Sequence, residues 1–136
     1  MRFMMIMYPG PMEEKDWAPS AEDVAEMSKY NEELTKAGVL LSLDGLQPAG
    51  EGARVRFKGG KATVTDGPFS EAKEVVGGFW MIQAKSKEEA VEWASRCPAG
   101  ENDFIEVRRV YEMADFPEEV REAAQLSEAP PEQATG

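Results

Sequence analysis

The first predicted strand is apolar on both of its faces, and this limits the folds available to the chain. Residues 3–8 show no alternation of apolar and polar side chains, and Pro9-Gly10-Pro11 ends the run. A strand of this kind is covered on both sides in the folded protein. The run is too short for a membrane-spanning helix, which needs ~20 residues, and we expect no membrane span.

Two helices are predicted, each starting at a serine that can cap it. Ser20 with Asp23, and Ser86 with Glu89, have the spacing of capping boxes. Gly38 is well placed to end the first helix, and Pro98 the second. Apolar stripes at helical spacing follow the caps: Val24, Met27, Tyr30, Leu34 and Ala37, then Ala90, Trp93, Ala94 and Cys97. Further strands are predicted at residues 39–43, 79–84 and 104–111.

A β-hairpin is predicted at residues 54–65, which alternate around Gly59-Gly60. A two-residue turn sets Lys58 opposite Lys61 and Val55 opposite Val64. This register gives the hairpin an apolar face of Val55, Phe57, Ala62 and Val64, and a polar face of Arg54, Arg56, Lys58, Lys61, Thr63 and Thr65. We expect the basic side chains to bind acidic groups of a partner subunit or of segment 115–122, or else to form a solvated edge that prevents aggregation.

The order of elements predicts an α+β domain. Apart from the inserted hairpin, it is the split βαβ pattern of ferredoxin-like domains, whose helices cover one face of an antiparallel sheet. We expect a second subunit to cover the other face, giving a face-to-face homodimer with an enclosed space. Pro117 lies in the first turn of a predicted short C-terminal helix. The predicted organisation is a folded domain at 1–111, a helical extension at 112–126 and a disordered tail at 127–136.

Composition excludes several classes of function. The net charge of the 136 residues is -11, and from Glu112 onward seven acidic residues accompany one basic residue. Such a chain lacks the basic surface that binds nucleic acid directly. Cys97 is the only cysteine and histidine is absent, so we expect a reducing, cytoplasmic location and no metal site. The fingerprint of a flavin or nicotinamide site is absent too, and we expect no cofactor.

The turn at residues 66–68 is the predicted functional site. Asp66 follows a strand directly, and Gly67 and Pro68 restrict the turn that carries its carboxylate. The alternative is a structural Asx turn, in which Asp66 accepts hydrogen bonds from the amides two and three residues on.

Other candidate side chains could complete the site. Tyr8 could donate a hydroxyl hydrogen bond to a ligand, or simply pack in the core. Lys73 could place an ammonium near an anionic ligand, or form a solvated pair with Glu74. Arg108 shares a strand face with Glu106, as a pair within the site or as an intersubunit salt bridge. The predicted ligand-binding set is Tyr8, Asp66, Gly67, Pro68, Phe69, Lys73 and Arg108. Cys97 is predicted to be inert packing.

Several short segments together resemble one known family. They are Gly45-Leu46-Gln47-Pro48, Thr65-Asp66-Gly67-Pro68-Phe69, Lys73-Glu74, Gly77-Gly78-Phe79 and Cys97-Pro98. This pattern resembles the YCII-related proteins, in the subgroup named after its Asp-Gly-Pro-Phe motif. The resemblance implies a dimeric α+β-barrel fold and no established reaction. It also implies a sigma-factor partner by analogy, because some relatives are associated with extracytoplasmic-function sigma factors.

The resemblance also bears on catalysis. Members of the wider family have been thought enzymatic because of an Asp and a His near a cleft, but this chain contains no histidine. Relatives in the subgroup often have a histidine just before the last strand, where this chain has Glu101-Asn102-Asp103.

Two functions remain open. In the first, a dimer binds an apolar or weakly anionic small molecule between its sheets, oriented by Asp66, Lys73 and Tyr8, and acts as a binding or regulatory protein. In the second, the chain is a metal-independent enzyme for isomerisation or proton transfer. Asp66 is then the general acid or base, and Lys73 or Arg108 stabilises negative charge.

Overall fold

The computed structural model describes residues 1–68 and 74–128, with side chains as far as residue 124. The strands are β1 (Arg2–Tyr8), β2 (Leu40–Gly45), β3 (Ala53–Lys58), β4 (Lys61–Asp66), β5 (Gly78–Gln83) and β6 (Phe104–Arg109). The helices are α1 (Ala21–Lys36), α2 (Lys87–Ser95) and α3 (Glu118–Glu128). Short 3₁₀ turns lie at Glu14–Asp16, Ala49–Glu51 and Met113–Asp115.

Four strands form one antiparallel sheet in the order β2-β5-β1-β6. The central strand β1 pairs with both β5 and β6, so that Met5 lies opposite Trp80 on one side and Val107 on the other. Strands β3 and β4 form a separate two-stranded sheet. This α+β topology is consistent with the predicted ferredoxin-like fold, whereas the dimeric barrel stays a prediction.

The hydrophobic core lies between the helices and one face of the four-stranded sheet. Alternate residues of the central strands are buried there, as a strand half-covered by helices requires. The buried core side chains are Phe3, Met5, Tyr30, Leu34, Trp80, Ile82, Ala84 and Ala90. The ring of Tyr30 meets that of Trp80 edge-on at 5.8 Å, and its hydroxyl donates to the Trp93 carbonyl at 2.6 Å. Tyr30 therefore connects α1, the sheet and α2.

The predicted helix ends are confirmed, with one difference. The Ser20 and Ser86 hydroxyl oxygens accept from the amides of Asp23 and Glu89, each at 3.1 Å. The Glu89 carboxylate accepts from the amide of Lys85 rather than from that of the cap residue Ser86. Gly38 follows α1 with a φ of 74°, a conformation that favours glycine.

The predicted hairpin register is confirmed at every pair. Lys58 faces Lys61 and Val55 faces Val64, with φ of 58° and 76° at Gly59 and Gly60. The apolar face of the hairpin is exposed within one chain, and Phe57 reaches 81% exposure. Binding of the basic face to acidic groups stays a prediction.

The sheet face opposite the helices, here called the open face, has an apolar centre on β1 and β5. Met4, Ile6 and Met81 alternate with buried residues and are half-buried. Tyr8 stacks on Phe104 at one end, with ring centroids 4.6 Å apart. Helices α1 and α2 contribute to the core on the other side, so these side chains need cover of their own.

The chain beyond β6 is held to the sheet by an ion pair. The guanidinium of Arg2 donates to both carboxylate oxygens of Glu112, at 2.8 and 3.2 Å. Helix α3 begins after Pro117, whose carbonyl accepts from the amides of Val120 and Arg121. The helix continues to Glu128, and the rest of the predicted tail lies outside the described residues. No helix in the described ranges is long and apolar enough to cross a membrane. Cytoplasmic location stays a prediction.

The Arg2–Glu112 pair makes stability depend on pH. The hydrogen bonds from Arg2 lower the pKa of the Glu112 carboxyl below its usual value. A carboxyl group with a lowered pKa stabilises the fold above its unfolded pKa of ~4.3, and that stability is lost as pH falls through the folded pKa. Glu112→Gln should therefore lower the melting temperature at pH ~7, and the difference from wild type should shrink below pH ~4.3.

Thermal unfolding followed by circular dichroism at neutral and acidic pH measures this difference. Glu26→Gln on α1 is the matched control, because in the described ranges the Glu26 carboxylate forms no ion pair. A loss of stability in Glu112→Gln that is the same at every pH would show that the ion pair is not its cause.

Candidate functional site

A cavity of about 410 Å³ lies between the first half of α1 and the ends of β1, β2 and β5. Its volume is in the range of small-molecule sites. Strand β5 is antiparallel to both β1 and β2. The last residues of β1 and β2 therefore lie beside the first residues of β5, at one end of the strands. The helix-side lining includes Met7, Met12, Trp17, Met27, Leu43 and Trp80. We call this space the α1 cavity.

One stripe of α1 faces the cavity. Asp23, Met27 and Asn31 are spaced at four residues, and Val24 and Ser28 lie beside them. Val24 was predicted to belong to the core stripe, yet it is 49% exposed. The predicted core stripe of α1 is buried only in the second half of the helix, at Tyr30 and Leu34. The first half of the helix therefore lines the cavity.

Trp17 closes one side of the α1 cavity. It follows the 3₁₀ turn Glu14–Asp16, and its indole N–H donates to the Leu46 carbonyl at 2.9 Å. This bond fastens the segment between β1 and α1 to the end of β2. The position of Trp17 is therefore fixed by a bond between two connecting segments.

Trp80 forms part of the floor. Its indole N–H donates to the Asn31 side-chain oxygen at 2.8 Å, which joins the sheet to α1 beneath the cavity. The N–H groups of both cavity tryptophans are thus already bonded within the protein. Trp80 is only 6% exposed, so the aromatic surface open to a ligand comes mainly from the half-buried Trp17.

At the sheet end of the cavity, the Gly77-Gly78 pair lets neighbouring groups of the protein lie close to its backbone. A Cβ added at Gly78 would lie 2.8 Å from the Asp44 carbonyl oxygen, and one at Gly77 would lie 2.7 Å from the Pro9 ring. Neither neighbour can retreat easily, since one is backbone and the other a ring in a turn. The pair therefore has a packing role.

The predicted site residues do not form one cluster, and those described lie outside the cavity lining. Tyr8 and Arg108 share the open face, but Tyr8 pairs with Phe104 and Arg108 with Met4. They are thus separated by four residues along the strand, or about 13 Å. Within one chain the Arg108 guanidinium donates to the Glu106 carboxylate at 3.2 Å. Both side chains are largely exposed, so this pair is weak.

Asp66 and Gly67 lie at the end of the hairpin. Asp66 is exposed, and the Gly67 amide donates to the Gly52 carbonyl at 2.9 Å. The Asx-turn alternative loses one of its donors, because the residue two positions on is Pro68, which has no N–H. The amide three positions on belongs to Phe69, and both Phe69 and Lys73 lie outside the described residues. A Cβ on Gly67 would overlap the Ala49 carbonyl.

The rest of the described chain offers neither an activated cysteine nor a metal-binding cluster. Burial raises the pKa of the Cys97 thiol to about 11, with a smaller contribution from Asp103, so its thiolate is scarce at neutral pH. In residues 1–68 and 74–124, no three carboxylate or thiol side chains come close enough to hold a metal ion.

Comparison with known proteins gives the family. The family model described as the YCII-related domain matches residues 1–114. The chain belongs to the YCII-related family. A relative from Rhizobium meliloti (strain 1021), named uncharacterized protein R00369, is 28% identical over 96 residues, which are 69% of this chain and 77% of the relative. For this YCII-related protein, membership of the Asp-Gly-Pro-Phe subgroup stays a prediction from its motif.

We expect the fold to require glycine at position 67, because the backbone there lies close to the 3₁₀ turn Ala49–Glu51. Gly67→Ala should destabilise the protein by ~1–3 kcal/mol, because the added methyl group forces the backbone of the turn to move. Gly52→Ala is the matched control, since its Cβ would meet the same Ala49 carbonyl oxygen at an ordinary 3.5 Å. Urea unfolding measures both variants, and equal stabilities would contradict the role assigned to Gly67.

Proposed function

We propose that this YCII-related protein binds a small, largely apolar organic molecule in the α1 cavity. The observation that carries the proposal is the cavity itself, about 410 Å³ in volume and walled by Trp17, Trp80 and methionine side chains. Apolar walls with a few polar groups are typical of ligand sites. Methionine adapts to ligands of varied shape, which suits a site of this kind.

The proposal assigns the ligand to the helix side of the sheet. The sequence had favoured the space between two sheets, with Asp66, Lys73 and Tyr8 around the ligand. Tyr8 is on the open face and Asp66 is at the exposed end of β4, whereas the α1 cavity lies on the helix side of the sheet. The acid/base hypothesis for Asp66 gains no support from its exposed position.

A matched pair of valine variants tests the proposal. Val24 at the cavity and Val91 on α2 are 49% and 44% exposed, so the two can be compared directly. Val24→Phe should narrow the α1 cavity and weaken binding of a neutral aromatic probe, naphthol, by roughly tenfold, or ~1.4 kcal/mol. Val91→Phe should leave the affinity unchanged. Titration calorimetry measures both, and equal affinities for the two variants would contradict the proposal.

We also propose that a second copy of the chain covers the open face. That face carries Met4, Ile6 and Met81 near its centre, and apolar side chains there favour association. A two-fold arrangement would bring the same residues together from both subunits. The exposed apolar face of the hairpin gives a further surface that a second copy could bury. A sigma-factor partner rests on family analogy alone.

The mass in solution tests the dimer. Light scattering should give twice the chain mass of 15.0 kDa for wild type at micromolar concentration. Met81→Glu should give a single chain, because its carboxylate would be buried without a partner. Val91→Glu, an equal change on the exposed surface of α2, should stay dimeric. A monomeric wild-type protein would contradict the dimer proposal.

A further inference from the structure

We propose that the α1 cavity selects a ligand with a positively charged amine on an apolar, aromatic-sized body. This inference rests on the proposed function, and adds to it the charge of the ligand. Four observations support it: an acidic residue on the cavity side of α1, the lack of cations in the described lining, two indole N–H groups already used, and the aromatic surface of Trp17.

The carboxylate is that of Asp23. It stands on the same stripe of α1 as Met27 and Asn31, both of which line the cavity. Its backbone amide donates to the Ser20 hydroxyl oxygen, which caps the helix. Its carboxylate forms no salt bridge or hydrogen bond with any described residue. This negative charge is therefore available to a ligand.

Positive groups that could hold an anion are missing from the described lining, which contains no lysine or arginine. The first turn of α1 would favour an anion by its dipole, but Glu22 and Asp23 already occupy that turn. A carboxylate ligand would therefore meet like charge at the opening.

The two indole donors in the lining are also used. The indole N–H of Trp17 donates to Leu46 and that of Trp80 to Asn31. Of the two, the half-buried Trp17 offers aromatic surface to a ligand, and the face of an indole ring attracts cations. A protonated amine would thus find an aromatic surface and a free carboxylate together.

Asp44 is the second acidic residue of the lining, and we assign it a smaller effect. It follows Leu43 in β2, and because side chains alternate along a strand it points away from α1. Its carboxylate lies at the sheet edge, and it therefore provides an internal comparison for Asp23.

A matched series of probes tests the inference by calorimetry at low salt. Phenethylammonium, phenethyl alcohol and hydrocinnamate share a phenyl body and differ in charge. The ammonium should bind roughly tenfold more tightly than the alcohol, from one aromatic contact and one partly exposed charge pair. The hydrocinnamate should bind most weakly. Asp23→Asn should reduce the preference for the ammonium over the alcohol about threefold. Asp44→Asn should reduce this preference less. Glu26→Gln makes the same change in net charge and should leave the preference unchanged.

The outcomes separate the inference from the proposed function. If the alcohol binds as tightly as the ammonium, or hydrocinnamate binds best, the charge preference is wrong. The binding function still stands if Val24→Phe weakens that probe. If no probe binds wild-type protein, the proposed function fails, and the inference fails with it. The wild-type series alone decides the sign of the preference, so the result does not depend on the folding of any variant.

Discussion

Trp80 connects the hydrophobic core to the α1 cavity, and much of the structure depends on its position. The residue lies on the central strand pair, opposite Met5 of β1 and Leu43 of β2. Its ring meets Tyr30 and its N–H binds Asn31, so that α1 is fixed to the sheet by one aromatic contact and one hydrogen bond. The same side chain forms part of the floor of the cavity. Core packing and the cavity are therefore linked through this residue.

The two faces of the sheet have different roles in this account. On the helix side, the second half of α1 contributes Tyr30 and Leu34 to the core, while its first half borders the α1 cavity. On the open side, the apolar side chains at the centre of the sheet have no helix of the core over them. Strand alternation accounts for both, because neighbouring residues such as Trp80 and Met81 face opposite sides. In this account the ligand and the second subunit occupy opposite sides of the sheet.

The sequence predicted the local structure well. The hairpin register, the serine caps and the glycine stop of α1 each depend on a few neighbouring residues, and each is confirmed. The α1 cavity was missed because its walls meet only in the folded chain. Met27 and Trp80 are ordinary core residues by pattern, and nothing in their spacing shows that a cavity remains beside them. One clue was present: Trp17 follows Glu13-Glu14-Lys15-Asp16 and belongs to no predicted core stripe.

The predicted site stays a prediction, and its described residues do not come together in one place. The Gly67-Pro68 turn was interpreted as holding the Asp66 carboxylate in place. The described contacts give another reason for a glycine at position 67, because its backbone packs closely against the Ala49 carbonyl. Tyr8 and Arg108 share a face of the sheet, as strand alternation requires. The distance between them depends on the register of β1 and β6, which the sequence does not show. Family membership extends to residue 114, and it identifies the fold without identifying a ligand.

The central claim is that a ligand binds under α1 and not on the open face, and the eight methionines allow a direct test. Methyl-labelled methionine gives one NMR signal for each residue, assigned through single leucine substitutions. On addition of phenethyl alcohol, we expect shifts and magnetisation transfer from the probe at Met7, Met12 and Met27, which line the cavity. Met4 and Met81 should stay unchanged. Transfer to Met4 and Met81, with no change at the three cavity methionines, would contradict the account.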